Sequence, residues 1–148
     1  MKKRIVKLSA VITAVFMLCG LCACGGKEYA TVSGGAKKYE SVSDYVNSIN
    51  RSYQIYEKEI SGDDDVEVQI TAEGDVMVYT FRFEDMEKSD QLSEALESEL
   101  AKEDKTFQDA ADEIRQYVNV ETATVEVRYV DRKGELVYSK KYTSAAKK

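Results

Sequence analysis

Along the chain, the spacing of apolar positions changes from a helical period to an alternating one and back again. Between Ser41 and Ile60, the residues Val42, Val46, Ile49, Tyr53, Tyr56 and Ile60 recur at steps of three and four, which predicts one buried face of an amphipathic helix. Ser41 or Ser43 supplies its N-cap, and Gly62 with Asp63, Asp64 and Asp65 ends it. Alternation then takes over, with Val66, Val68 and Ile70 in one strand and Met77, Tyr79, Phe81 and Phe83 in the next. With Glu73-Gly74 as the two-residue loop, Ile70 falls opposite Met77, Val68 opposite Tyr79 and Val66 opposite Phe81, and the whole apolar set shares one face.

The helical period returns from about Ser89 to Val118 through Leu92, Leu96, Leu100, Phe107, Ala111, Ile114 and Val118. The fully charged stretch from Lys102 to Lys105 allows a break near Thr106. A last hairpin sets Val125, Val127 and Tyr129 against Leu136 and Tyr138, around Asp131-Arg132-Lys133-Gly134. The element order is therefore αββαββ, an α+β domain. Its simplest packing is a four-stranded antiparallel sheet with two helices on one apolar face.

The two hairpins also resemble each other. Val66-Glu67-Val68 matches Val125-Glu126-Val127, and the tract from Met77 to Phe83 matches that from Leu136 to Tyr142 at the same displacement. This suggests a duplicated αββ unit, against the plainer reading that two Val- and Tyr-rich hairpins look alike.

The N-terminus follows another logic. Lys2, Lys3, Arg4 and Lys7 precede an uncharged apolar run from Leu8 to Leu18, the order of a secretory signal. The run is about half the ~20 residues that a membrane-spanning helix needs. Leu21-Cys22-Ala23-Cys24 then resembles the lipobox of bacterial lipoproteins, which implies lipidation of Cys24 and removal of residues 1–23. Residues 24–38 are rich in Gly, Ser, Ala and Lys without apolar period and read as a flexible tether, spanning roughly 20 Å on average. Residues 39–148 form the single domain. The expected location is the outer face of the cell membrane, with the membrane contacted through the lipid on Cys24.

Composition narrows the chemistry. The chain has no histidine, and its three cysteines all lie at or before residue 24, so the domain holds no disulfide, thiolate site or histidine-based triad. Removing the four basic residues of the leader leaves 17 basic against 27 acidic residues, a net charge of −10. That charge disfavours nucleic acid and anionic lipid as partners.

The Asp44-Tyr45-Val46-Asn47 start, the Ala72-Glu73-Gly74-Asp75 turn with Val78-Tyr79 after it, the Thr106-Phe107-Gln108 element, and Val127-Arg128-Tyr129 with Val137-Tyr138-Ser139, taken with the lipobox, resemble a family of small Gram-positive lipoproteins known only as a domain of unknown function. The resemblance spans nearly the whole mature chain. It implies location and fold, and no activity.

Candidate sites follow from the elements. Asp63, Asp64 and Asp65 with Glu67 form a weak candidate for a hard cation, but the spacing is not that of an EF-hand and a solvated acidic loop explains it better. No cofactor is expected. The sheet face away from the helices carries Val76, Val78, Arg82, Arg128, Val130 and Val137, with Thr80 and Lys141 beside them, and is the candidate surface for an envelope or surface protein or peptide. The plain alternative is that β-branched residues simply favour strands. The expected function is a membrane-anchored extracytoplasmic binding or interaction module and not an enzyme. The alternative is a carboxylate-based hydrolase acting on an envelope polymer.

Overall fold

A computed structural model describes residues 39–60, with side chains to residue 51, and residues 66–145. The leader, Cys24, the tether and the aspartates of the weak cation candidate lie outside the described residues. The order of elements is α1 (Val42–Ile60), β1 (Val66–Glu73), β2 (Val76–Phe83), α2 (Asp90–Lys102), α3 (Asp104–Tyr117), β3 (Thr124–Val130) and β4 (Leu136–Thr143).

Two of the three helices begin at the serines that the sequence offers as caps. The Ser41 hydroxyl accepts the Asp44 N–H at 3.1 Å, and the Ser89 hydroxyl accepts the Leu92 N–H at 3.1 Å, each satisfying a donor that the first turn leaves open. The helical stretch from Ser89 to Val118 breaks inside its charged run, at Glu103 rather than near Thr106, into two helices. Thirty residues of straight helix would run about 45 Å, whereas eight-residue strands run about 27 Å, so the break keeps both halves over the sheet.

The sheet has the order β1-β2-β3-β4, and β2 and β3 are parallel. The fold class is the expected α+β, but the expected fully antiparallel sheet is corrected at its central pair. The reason lies in the helices. Ser93 of α2 bonds to the Val137 carbonyl, Asp104 to Lys140 and Tyr142, Gln108 to the Thr143 carbonyl, and Asp112 to the Ala145 N–H. Both helices thus travel the same way along β4 and make one pass across the sheet. One pass returns the chain to the end where β2 began, so β3 starts beside Val76 and runs parallel to it.

That parallel pair bears on the suspected duplication. Seen from the helix side, with the first strand of each hairpin pointing up, β2 lies to one side of β1 and β4 lies to the other side of β3. The two hairpins have opposite hands and cannot be rigid copies of one αββ unit.

The first hairpin pairs Ile70 with Tyr79, Val68 with Phe81 and Val66 with Phe83. The loop is Gly74-Asp75, one residue later than expected, with Gly74 at φ +62° where a side chain is disfavoured. Each residue of β1 therefore faces a β2 residue two further on, which preserves the apolar face because strand side chains alternate with period two. Helix α1 packs on β1 and β2, while α2 and α3 cover β3 and β4. The core between holds Val42, Val46, Ile49, Leu92, Leu96, Leu100 and Ile114. Tyr129 stacks on Phe81 at 5.4 Å and on Phe83 at 6.1 Å, and Phe107 stacks on Tyr142 at 5.4 Å.

Tyr39, the first described residue, is held by ladder bonds to Tyr117 and Asn119 and lies at the end of the sheet where β3 begins. The β3–β4 turn lies at the opposite, far end.

Candidate functional site

The helices cover one face of the sheet, and among the described residues no helix covers the other. Alternation places on that face Glu67, Gln69, Thr71 and Glu73 from β1, and Arg82, Thr80, Val78 and Val76 from β2. Beside them run Val130, Arg128, Glu126 and Thr124 of β3, then Ser139, Lys141 and Thr143 of β4. Five of the six residues expected there, Val76, Val78, Arg82, Arg128 and Val130, are on this face.

Val137 is not. A bulge between Tyr129 and Val130 shifts the β3–β4 register, so Val137 joins the core while Leu136, expected in the core, is 47% exposed. One extra residue opposite a strand reverses which face its neighbours take.

The face is less open than its sequence suggests. From β3, Arg128 reaches Glu73 on β1 with two bonds, 2.6 Å from Nη1 and 2.8 Å from Nη2, and holds Glu126 through Nε and Nη2 at 2.9 Å each. Strands two apart are separated by about 9.6 Å, so arginine and glutamate meet above β2. Arg128 lies level with Thr80 and Glu73 level with Val76, and the residue of β2 between them is Val78. Val78 has no exposed surface, although it stands outside the helix-side core. The ion pairs and their alkyl stems form a roof over it.

The electrostatics match this geometry. The Arg128 guanidinium holds the carboxyls of Glu73 and Glu126 below the usual glutamate range, and the two glutamates raise Arg128 further above the range in which it could lose its proton. Lys141 adds a contact to Glu126 at 3.5 Å. Arg82 has a similar, looser place between Glu67 at 3.8 Å and Glu84 at 3.4 Å. Glu67, the only member of the weak cation candidate among the described residues, thus faces an arginine. No group of three or more acidic residues that could hold a metal ion occurs among the described residues.

At the far end a second cluster ties two loops together. Asp131, 1% exposed, accepts the Lys133 and Glu135 N–H groups on Oδ1 at 2.8 and 2.9 Å, and the Lys88 N–H on Oδ2 at 3.1 Å. Burial opposes its charge, but the three backbone donors outweigh it and hold the carboxyl below the usual aspartate range. The Arg132 N–H bonds to the Met86 carbonyl at 3.0 Å, and Arg132 pairs with Glu87. Leu136 and Val130 therefore project from a fixed end of the sheet, opposite one another and beside Arg82.

Asp131, Glu73, Glu126 and Leu136 were not singled out by the sequence. Asp131 carried a legible signal, an Asp opening a Gly-containing turn. The partnership of Glu73 with Arg128 had none, because it spans strands made adjacent only by the parallel pairing.

The fold and this face define a small α+β domain with a mixed sheet layered against helices on one side. Within that class, the chain belongs to the family described as Domain of unknown function (DUF4854), whose profile matches residues 42–142. No curated protein and no solved structure matches the chain.

Proposed function

We propose that the chain is an extracytoplasmic lipoprotein, lipidated on Cys24 and held on the outer face of a cell membrane, that acts as a binding module through the helix-free face of its sheet. The observation that carries this reading is the position of Leu136. It is the large hydrophobic side chain left exposed among the described residues, beside Val130 and Arg82, and it sits at the opposite end of the sheet from Tyr39. A domain tethered through the residues before Tyr39 presents that corner away from its membrane. An isolated exposed leucine is ordinary, but one mounted on a pinned turn beside a valine and an arginine is a compact contact point.

The paired carboxylates support binding over hydrolysis. Glu73, Glu87, Glu126 and Asp104 all face cations that lower their pKa, which suits structural ion pairs and disfavours these four as general acids near neutrality, whereas burial raises Glu113 on α3.

The test is crosslinking on intact cells followed by mass spectrometry of the attached neighbours, with Cys24→Ala and Leu136→Ser as comparison forms. A specific neighbour lost in both variants supports the reading. The same neighbours recovered with Leu136→Ser would remove the proposed surface, and unchanged membrane retention of Cys24→Ala would remove the anchor.

A further inference from the structure

The two edges of the sheet are treated differently. The Ser144 N–H bonds inward to the Ala123 carbonyl, so by alternation the backbone groups of Val137, Ser139, Lys141 and Thr143 point away from the sheet. Helix side chains take two of those carbonyls, Ser93 on Val137 at 3.2 Å and Gln108 on Thr143 at 3.0 Å. The bulge and two lysines complete a guarded edge.

At the other edge the Thr124 N–H bonds to the Asp75 carbonyl, so odd-numbered residues of β2 face β3 and even-numbered ones face β1. The backbone groups of Val66, Val68, Ile70 and Ala72 then point outward from β1. Among the described residues only the Ile70 carbonyl has a partner, Asn50 Nδ2 at 2.9 Å, and a carbonyl oxygen can accept a second bond. β1 runs eight residues in unbroken register and contains no lysine, proline or bulge. A regular, unguarded edge of this length is a template for another strand.

We infer that β1 accepts an extended segment of a partner in which apolar residues alternate with lysine or arginine, continuing the sheet past Val66–Glu73. The charge on the edge selects that chemistry. The helix-free face of β1 carries Glu67, Gln69, Thr71 and Glu73 and no cation of its own; Arg82 and Arg128 approach Glu67 and Glu73 from the β2 side, yet those side chains stay 62% and 54% exposed and can take a second cation from the edge. Residues of an added strand lie about 5 Å from these glutamates, where basic side chains stabilise and acidic ones repel. On the opposite face Val66 and Val68 are half-buried at the margin of the core, and apolar residues of an added strand would extend it. A second copy of the chain is disfavoured, since β1 against β1 puts the glutamates of both copies along one row.

This inference rests on the binding-module reading and specifies its contact. The test is residue-resolved amide hydrogen exchange on the full chain in detergent, with an eight-residue peptide alternating valine and lysine as the probe and its valine–glutamate counterpart as control. The N–H groups of Val66, Val68, Ile70 and Ala72 exchange rapidly in the free protein. With the lysine peptide they slow by tenfold or more, while those of Glu67, Gln69, Thr71 and Glu73, already in the ladder, change little. Glu67→Lys, at an exposed position, weakens the lysine peptide and strengthens the glutamate one.

Three outcomes overturn the inference: outward amides already as slow as their neighbours in the free chain, equal protection by both peptides, or protection that rises with protein concentration alone, which assigns the edge to a second copy. A cell-surface neighbour lost with Leu136→Ser but kept with Glu67→Lys leaves the binding module standing and removes the strand-addition site.

Discussion

Val78 offers the sharpest test of how the helix-free face is built. If Arg128 and its glutamates roof this side chain, Val78→Ala empties a fully enclosed site. If the face is open, the same change touches little, and surface substitutions stay within about 0.5 kcal/mol. Val78 has no exposed surface, so losing two methyl groups forfeits about 1.6 kcal/mol of transfer energy at about 0.8 kcal/mol each. Incomplete collapse adds to this, and about 2 kcal/mol in total is expected. For a domain of roughly 110 residues, an unfolding entropy of about 2.1 cal/mol/K per residue turns 2 kcal/mol into a fall in Tm of about 9 °C.

Thermal and urea unfolding followed by far-UV circular dichroism measure both quantities. The cycle with Arg128→Ala then assigns the cause, because without the guanidinium and its stem Val78 is partly wet and its truncation costs about 1 kcal/mol less. A Tm change under about 2 °C for Val78→Ala, or no coupling to Arg128, would refute the roof. The same geometry makes Val78→Asp a poor probe of partner binding. It buries a carboxylate beside Glu73 and Glu126 and destabilises the fold itself.

Other expectations follow from the same contacts. Asp131→Ala leaves three backbone donors without their acceptor and lowers Tm measurably. Because the folded carboxyl titrates below its ordinary value near 3.8, its stabilisation is present above that pH and drains as pH falls toward the folded value. Acid unfolding of Asp131→Asn should therefore be less steep than that of the parent. The Tyr129 hydroxyl is buried without a hydrogen-bond partner among the described residues, so Tyr129→Phe should hold or raise stability by up to about 1 kcal/mol in urea titrations, and a loss would point to an unseen bond. Leu136→Ser should leave Tm within about 2 °C while abolishing crosslinked neighbours, since its exposed side chain contributes little burial.

Much of this protein was legible in the spacing of its apolar residues. The periods of three and four fixed the helical faces, and Leu92, Leu96, Leu100, Phe107, Ala111, Ile114 and Val118 are all buried as that spacing requires. Alternation marked four strands, and serines marked helix starts at Ser41 and Ser89, because these are local consequences of backbone geometry and unsatisfied N–H groups. The α+β class and five of the six face residues came from the same periods.

Tertiary structure decided what local chemistry leaves degenerate. A helical stretch of thirty residues makes one pass or two with the same apolar stripe, and only the docking of Asp104, Gln108 and Asp112 along β4 made it one and the central strands parallel. That pairing set Arg128 above Val78 within reach of Glu73, a contact across 55 positions of sequence. The bulge exchanged Leu136 and Val137 between core and solvent, since a single unpaired residue reverses faces without altering the hydrophobic pattern that precedes it. Sequence therefore determined which faces are apolar; packing determined which strands lie side by side, and hence what the free face and free edge present to a partner.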